Sequence, residues 1–236
     1  METEELPPGW AWATLGDVCD VIGGITVDAK RTGEGLVEVP YLRVANVQRG
    51  RLDLSKMRTI LVPRERLEAL SLHPGDVLLN EGGDRDKVGR GWVWEGRIDP
   101  CVFQNHVFRA RVSGDAINPY FLSHYLNEFA RAHFLTGAKQ TTNLASISLS
   151  TIKATPILVA PRAAQERIVA AINDEFTDLD TAEAALGRAR EGVEQFRASL
   201  LHAACTGALT AAWREARGGS VSRYSVSVPL GGSPAG

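Results

Sequence analysis

The chain is poor in cysteine and has no long apolar run. Its 236 residues include only Cys19, Cys101 and Cys205, an odd number without a C-x-x-C pair. No stretch of about 18 apolar residues occurs, which excludes a membrane-spanning helix. The acidic start does not resemble a signal peptide, which begins basic and continues apolar. Together these absences predict reduced thiols and a cytoplasmic protein.

A strong net charge is also absent. Lys and Arg number 26 against 28 Asp and Glu, a formal charge of −2, which excludes a polycation that coats nucleic acid by bulk charge. The charges are nevertheless segregated. The 37 residues Phe129–Gln165 contain no acidic residue, and Tyr41–Arg66 contains seven basic residues against two acidic ones, whereas Gln165–Leu201 contains eight acidic and four basic residues. This pattern favours a polyanion-binding domain followed by a protein-binding helix, with an ordinary solvated surface as the alternative.

Motifs of known catalytic chemistry are missing. The sequence has no H-E-x-x-H, G-x-S-x-G or Walker loop, and none of its five histidines has a cysteine at metal-ligand spacing. The segment Asn118-Pro119-Tyr120-Phe121 is similar to the N-P-P-Y/F loop of DNA amino-methyltransferases, but it lacks the second proline and a preceding glycine-rich cofactor turn. We interpret it as a helix start, and we predict no catalytic residue, metal site or cofactor.

The hydrophobic pattern divides the chain into three zones and predicts an α+β fold. Residues 1–160 form a mixed, β-rich globular domain with one helix, from Pro119 to about Phe134. Residues 161–210 form one long helix, and residues 211–236, rich in Gly and Ser towards their end, form a disordered tail. The predicted strands are Leu36–Val44, Asp76–Leu79, Gly91–Trp94, Val102–Ala110 and Pro156–Val159.

An apolar seam runs along the long helix. Apolar residues recur every seven positions, at Ile172, Leu179, Leu186, Val193 and Leu200. Phe196 is an apolar companion on the same seam. Such a repeat is typical of a coiled coil. A helix of this length reaches roughly 60 Å, too far to lie flat on a domain of this size. We expect it to project and to pair with a partner helix; a helix packed on the domain surface is the alternative.

Three polar segments of the first zone contain side chains that are suited to contacts with DNA. Asn80–Gly91 is glycine-rich with alternating charges, which suits insertion beside a phosphate backbone, although a plain hairpin loop has the same composition. Gln104-Asn105-His106 interrupts an apolar run, where its side chains could read bases or satisfy strand ends. Ala138–Asn143 offers Lys, Gln, Thr and Asn to phosphates and bases, with a capped loop as the alternative.

The predicted DNA contacts follow from side-chain chemistry. Cations suit phosphates, and the predicted phosphate contacts are Arg43, Arg85, Lys87, Arg90 and Lys139. Amides and hydroxyls suit base edges, and the predicted base contacts are Asn46, Gln140, Thr142 and Asn143. For Gln104, Asn105 and His106, a structural role is an equal alternative.

Taken in order, several segments resemble a target-recognition domain of type I restriction–modification specificity (S) subunits. They are Leu6-Pro7-Pro8-Gly9-Trp10, Leu15-Gly16-Asp17-Val18, Tyr41–Val47, Gly75–Gly83, Gly89-Arg90, Gln104-Asn105-His106 and Lys139–Asn143. Ala164-Gln165-Glu166-Arg167-Ile168 is similar to the start of that family's long conserved helix, and Ala204–Leu209 to its end. The resemblance covers roughly residues 6–210.

This resemblance implies a non-catalytic scaffold that binds double-stranded DNA. It also implies methyltransferase (M) subunits as partners and, in the full complex, restriction (R) subunits. A usual S subunit has two recognition domains and two helices that pair antiparallel, whereas this chain has one of each. It therefore resembles a half-subunit, which we expect to dimerise and to direct its partners to a bipartite inverted repeat. Base-reading residues are expected in the less family-like stretches Thr26–Val37 and Leu52–Leu70.

Two other readings stay open on the sequence alone. One is a coiled-coil adaptor or decayed S fragment that reads no DNA. The other is a self-contained DNA methyltransferase or nuclease, which would need a cofactor-binding turn or a carboxylate cluster with a lysine; neither is found.

Overall fold

The computed structural model describes residues 6–28, 30–84, 87–137, 139–140 and 145–217. The chain divides into two compact units, residues 1–174 and 175–236. The strands are β1 (Ala11–Thr14), β2 (Cys19–Gly23), β3 (Leu36–Leu42), β4 (Val47–Gln48), β5 (Arg51–Leu52), β6 (Arg58–Pro63), β7 (Val77–Asn80), β8 (Gly82–Gly83), β9 (Gly91–Val93), β10 (Val102–Phe103), β11 (Val107–Val112), β12 (Lys139–Gln140), β13 (Ala145–Ser146) and β14 (Pro156–Val159). The helices are α1 (Leu15–Val18), α2 (Arg64–Leu70), α3 (Pro119–Glu128), α4 (Arg131–Gly137), α5 (Leu149–Lys153), α6 (Arg162–Cys205) and α7 (Ala211–Ala216). The α+β prediction with one long helix is confirmed.

A four-stranded antiparallel sheet in the order β2-β11-β7-β9 organises the first unit. Successive side chains of a strand point to opposite faces. Accordingly, Val77 and Leu79 of β7 join the larger core with α3 and α4, whereas Leu78 joins a second core with Trp94 and Phe103. Because both faces of this sheet are covered, β7 is apolar along most of its length and fully buried.

The other sheets are smaller. A three-stranded sheet has the order β10-β3-β6, with β3 and β6 antiparallel and β10 parallel to β3. Strand β1 pairs antiparallel with β14, from Ala11 opposite Val159 to Thr14 opposite Pro156. This pairing places the beginning of the domain beside its last strand.

Two predicted elements are each divided in the structure. The run Val102–Ala110 forms β10 and β11, because a turn closed by the bond from the Val107 N–H to the Gln104 carbonyl (2.9 Å) separates them. The helix predicted from Pro119 to Phe134 forms α3 and α4, separated at Phe129 and Ala130. The start of α3 is as interpreted: the Asn118 side chain accepts hydrogen bonds from the N–H groups of Tyr120 and Phe121, at 2.8 and 3.3 Å.

The first turns of α6 are fixed to the rest of the first unit by Gln165, which is fully buried. Its Oε1 accepts a hydrogen bond from the Asn118 N–H (2.6 Å), and its Nε2 donates to the carbonyls of Ala116 (3.0 Å) and Ala160 (2.7 Å). Val169, one turn further, belongs to the larger core. The first compact unit therefore extends to residue 174, beyond the boundary that the sequence places at 160.

The second unit begins within α6. This helix ends at Cys205, followed by Gly207 with φ of 76°, a left-handed conformation that favours glycine after a helix. A short helix, α7, follows at Ala211–Ala216. The prediction of disorder from residue 211 is therefore wrong for these residues, and residues 218–236 lie outside those described.

Candidate DNA-recognition surface

The basic stretch Arg43–Arg58 contains the antiparallel pair β4 and β5 and is called the basic hairpin. Asn46 holds its turn. The Asn46 Oδ1 accepts a hydrogen bond from the Arg43 N–H (3.0 Å), and its Nδ2 donates to the Asp53 carbonyl (2.8 Å). Asn46 is only 2% exposed. The prediction that Asn46 contacts a base is therefore corrected: its amide shapes the turn and does not face solvent.

The cations of this hairpin divide into half-buried and exposed ones. Arg43 is half-buried, and its Nη2 donates to the Lys56 carbonyl (2.8 Å), so part of its guanidinium is used inside the hairpin. Arg51, Lys56 and Arg58 are exposed. The sequence included these three only in the count of basic residues, yet they are the side chains of this stretch best placed to meet a polyanion.

Asn80, at the end of β7, joins this hairpin to the glycine-rich loop. It is fully buried, and its Nδ2 donates to the carbonyls of Val47 (2.9 Å) and Val44 (3.3 Å). From the other end of the loop, the Arg90 Nε also donates to the Val47 carbonyl (3.2 Å). The hairpin and the loop therefore form one connected structure.

Glu81 joins the same loop to the two remaining predicted segments. Its backbone N–H donates to the His106 carbonyl (3.0 Å), and its carbonyl accepts from the Ile147 N–H (2.9 Å). Its side-chain Oε2 lies 2.6 Å from His106 Nδ1. The turn at Gln104-Asn105-His106 is thus tied to the glycine-rich loop, with the His106 side chain mostly exposed.

A three-stranded ribbon completes this arrangement. Strand β13 pairs with β8 on one side and with β12 on the other, so Gly82–Gly83 and Lys139–Gln140 belong to one small sheet. Gly82 is required there, because a Cβ at this position would lie 2.5 Å from the Ala145 carbonyl oxygen. The structure thus brings together the three polar segments that the sequence singled out separately.

The predicted phosphate and base contacts differ in how far the structure describes them. Lys87 forms an ion pair with Asp84, and hydrogen bonding and the charge of Lys87 lower the pKa of the Asp84 carboxyl. Arg90 is half-buried and bonded to the hairpin as described above. Lys139 and Gln140 are described only in their backbone, and three further predicted residues lie outside the described ones: Arg85, Thr142 and Asn143.

Asn127 of α3 is hydrogen-bonded to Gly91, the first residue of β9, and the sequence analysis did not single it out. It is buried, its Oδ1 accepts from the Gly91 N–H (3.1 Å), and its Nδ2 donates to the Gly91 carbonyl (2.9 Å). Its own carbonyl accepts a hydrogen bond from the Arg49 guanidinium. The only sequence signal was a polar residue on the apolar face of a predicted helix.

The segment Gly75–Gly83 carried part of the family resemblance. Several of its residues form hydrogen bonds or close contacts that hold the surrounding structure together. Asp76 is buried and receives two hydrogen bonds of 2.7 Å from Arg111, an interaction that raises the pKa of that guanidinium. Asn80 and Glu81 connect the polar segments, and Gly82 allows the ribbon to close. Residues of the segment that carried the resemblance therefore build the frame of this surface.

The predicted partner interface lies on α6. Ile172, in the first unit, is half-buried. Within the second unit, Leu186 is 72% exposed, and the other seam residues are exposed too: Leu179, Val193, Phe196 and Leu200. Among the described residues, no helix has the length and apolar character that crossing a lipid bilayer requires.

Comparison with known proteins identifies the family. The model of the type I restriction modification DNA specificity domain matches residues 7–185. The chain belongs to this specificity family. Specificity subunits are the non-catalytic DNA-recognition components of type I restriction–modification systems, which agrees with the expectation of a non-enzymatic role.

Named relatives agree with this assignment. The specificity subunit of the StySPI enzyme of Salmonella potsdam is 29% identical over 213 residues, covering 87% of this chain and 44% of the relative. That of the EcoKI enzyme of Escherichia coli K12 is 28% identical over 188 residues, covering 79% and 40%. This specificity-family chain therefore spans less than half the length of these curated relatives.

Solved structures share the fold. The HsdS subunit of Thermoanaerobacter tengcongensis superposes with a TM-score of 0.63 at 18% identity, covering 83% of this chain and 49% of the other. A chain from a study of complex assembly and conformational transition in a type I R-M system gives a TM-score of 0.61 at 22% identity, covering 86% and 47%. The specificity-family fold is thus found in half of each longer chain.

Proposed function

We propose that this chain reads double-stranded DNA and directs M subunits, and R subunits in the full complex, to a bipartite site. The observation that carries this proposal is the junction at Asn80 and Glu81, where the basic hairpin, the glycine-rich loop, the 104–106 turn and the ribbon of β8, β12 and β13 meet. Exposed cations on this surface would contact phosphates, while neighbouring loops would contact base edges. Loops held by a rigid frame can vary in sequence without loss of the fold.

The chain is proposed to act as a dimer that pairs through α6. Four exposed apolar side chains at seven-residue spacing, Leu179, Leu186, Val193 and Leu200, support a partner helix, because a coiled coil buries such a seam. A second copy of this chain has the same apolar seam, so pairing requires no other protein. Each copy would then bind one half of a DNA site, so that two-fold symmetry gives an inverted repeat.

The charges on the helix favour antiparallel pairing. Glu175–Glu183 contains four acidic residues and no basic one, whereas Arg188–Arg197 contains three basic and two acidic residues. A parallel dimer would set the two acidic segments side by side. An antiparallel dimer centred near Leu186 instead sets each acidic segment beside the more basic segment of the other copy, which lowers the repulsion between them.

Methylation mapping tests the proposal. Cells that express a cognate M subunit, with and without this chain, are compared for genome-wide adenine methylation. A split sequence methylated only when the chain is present is the expected result, with inverted halves for a homodimer. Two different halves would instead require a second recognition domain from another chain.

A charge variant serves as the matched comparison. The triple substitution Arg51→Ala, Lys56→Ala and Arg58→Ala should weaken methylation of the same sites, whereas Arg167→Ala, which removes an exposed arginine of α6, should leave them unchanged. Absence of any chain-dependent site, with both proteins produced and folded, would contradict DNA reading and favour the adaptor or decayed fragment.

A further inference from the structure

A depression beside the basic hairpin has no role in the surface described above. Its volume is about 300 Å³, at the lower end of the range for small-ligand sites. It lies where β5 approaches β9, and the backbone bond from the Gly50 N–H to the Gly91 carbonyl (3.2 Å) joins these two regions. The lining side chains of most chemical interest are Arg51, Leu52, Leu54, Trp92, Trp94 and Arg97.

The walls of this depression suit a flat aromatic ring. Trp92 is half-buried, and its ring is fixed from the side by edge contacts with Tyr120 and His124, at centroid distances of 6.0 and 5.2 Å. Trp94 is 1% exposed and belongs to the second core, so it lies behind the depression and presents no open ring face. The Trp92 indole ring, beside the aliphatic Leu52, provides the kind of surface on which nucleobases stack irrespective of sequence.

The rim of the depression carries two arginines that are suited to binding one phosphate group. Arg51 and Arg97 are both exposed, and Glu95 supplies one opposing carboxylate. The Arg97 Nε donates to the Glu95 Oε2 (2.8 Å), and this pair is partly solvated on both sides. A solvated ion pair is weak, so Arg97 can exchange Glu95 for a phosphate, which accepts paired hydrogen bonds from guanidinium groups.

We propose that this depression binds a single nucleotide, with its base against Trp92 and its phosphate on Arg51 and Arg97. The proposal rests on the proposed function, because Arg51 belongs to the hairpin assigned to DNA. The nucleotide is either a unit of the DNA strand that has left the base stack or a free mononucleotide. An unstacked base of a bound strand needs a pocket with an aromatic wall and a nearby phosphate contact, and both are present here.

Indole signals in a ¹H–¹⁵N spectrum of the full chain provide a direct test, since its tryptophans are Trp10, Trp12, Trp92, Trp94 and Trp213. Titration with dAMP should shift the signals of Trp92 and Trp94 in a saturable manner and leave the other three in place. Trp→Phe variants assign the signals. No saturable shift at Trp92 and Trp94 would overturn the proposal, and so would equal shifts with deoxyribose 5-phosphate, because the base would then contribute nothing.

Paired variants test the phosphate contacts. The double substitution Arg51→Ala and Arg97→Ala should raise the apparent Kd for dAMP at least about fivefold, given the strength of charge-assisted hydrogen bonds. Arg167→Ala, which removes an exposed arginine outside the depression, should leave the Kd unchanged. Equal affinities in all three proteins would contradict the assigned phosphate site.

A duplex with one unpaired 2-aminopurine distinguishes the two sources of the nucleotide. Quenching of its fluorescence by the wild-type chain, lost in the double variant, identifies a unit of the DNA strand. Binding of dAMP without this quenching identifies a free nucleotide. A fully paired duplex, measured in parallel at low salt, reports on DNA binding itself: if it binds while dAMP and 2-aminopurine give no response, the pocket proposal alone fails, and if it does not bind, the proposed function fails.

Discussion

Replacement of Gln165 by leucine tests whether one side chain holds the first turns of α6 to the rest of the first unit. Leucine has a similar size but no polar atoms, so Gln165→Leu removes the bonds to the Asn118 N–H and to the carbonyls of Ala116 and Ala160. A buried polar group left without a partner costs about 1–3 kcal/mol. Ala116 is exposed, so water can replace its lost partner, whereas Ala160 is buried and Asn118 half-buried.

The buried Ala160 carbonyl contributes about 1–3 kcal/mol and the half-buried Asn118 N–H about 1 kcal/mol, so we expect a loss of about 2–4 kcal/mol in the free energy of unfolding. For a unit of this size, that loss corresponds to a decrease of roughly 5–15 °C in Tm. Urea and thermal unfolding of the variant and the wild type, followed by tryptophan fluorescence, measure both quantities. The neighbouring Glu166→Gln weakens only an exposed pair with Arg162 and should change stability by less than about 0.5 kcal/mol.

The result that would refute this reasoning is a loss below about 1 kcal/mol for Gln165→Leu, comparable to that of the control. The three hydrogen bonds would then be replaced by water or by local rearrangement. The helix would owe its position to the apolar contacts of Ile168 and Val169.

Three further predictions concern DNA binding, self-association and thiol reactivity. The triple substitution Arg51→Ala, Lys56→Ala and Arg58→Ala should make the dependence of log K on log salt shallower by about 2–3 on mixed duplex DNA, since each lost phosphate contact contributes about 0.9; an unchanged slope would contradict phosphate contact by this hairpin. Leu186→Glu places a charge in the seam and should yield a monomer by sedimentation at concentrations where the wild type is a dimer; equal masses would contradict pairing through α6. Burial raises the pKa of the Cys19 and Cys101 thiols from 9.0 to about 12, so their thiolate fraction near pH 8 falls roughly a thousandfold. A chromogenic disulfide reagent should therefore label only Cys205 in the native chain and all three thiols after unfolding; rapid labelling of more than one native thiol would contradict this burial.

Elements encoded by local periodicity were predicted well from the sequence. The helix α6 has a seven-residue repeat over most of its length, and β14 matches its predicted bounds, Pro156–Val159, because a short apolar run lies between clear boundaries. The start of α3 carries both an N-cap asparagine and a proline in the first turn. Each of these signals depends only on residues close together in the chain.

The arrangement of the candidate surface depends instead on contacts between distant residues. Strands β8 and β13 have two residues each, too few for a period, and they pair across more than sixty positions of the chain. The burial of Asn46 and Asn80 also has no local signature, because an asparagine in a turn or at a strand end can face either water or the interior. Family resemblance placed these segments in one domain, but it did not distinguish side chains that frame the surface from those that face DNA.

The antiparallel pairing of β1 with β14 has a consequence for how this domain can be transferred between proteins. The chain enters and leaves the domain at adjacent positions, with Ala11 opposite Val159, and α6 begins three residues after Val159. A module whose two connections are neighbours can be exchanged, duplicated or placed within another chain without stretching the host. A different domain inserted at this one edge would meet the same helix start, so the proposed DNA specificity could be replaced while the sequence of α6 remains unaltered.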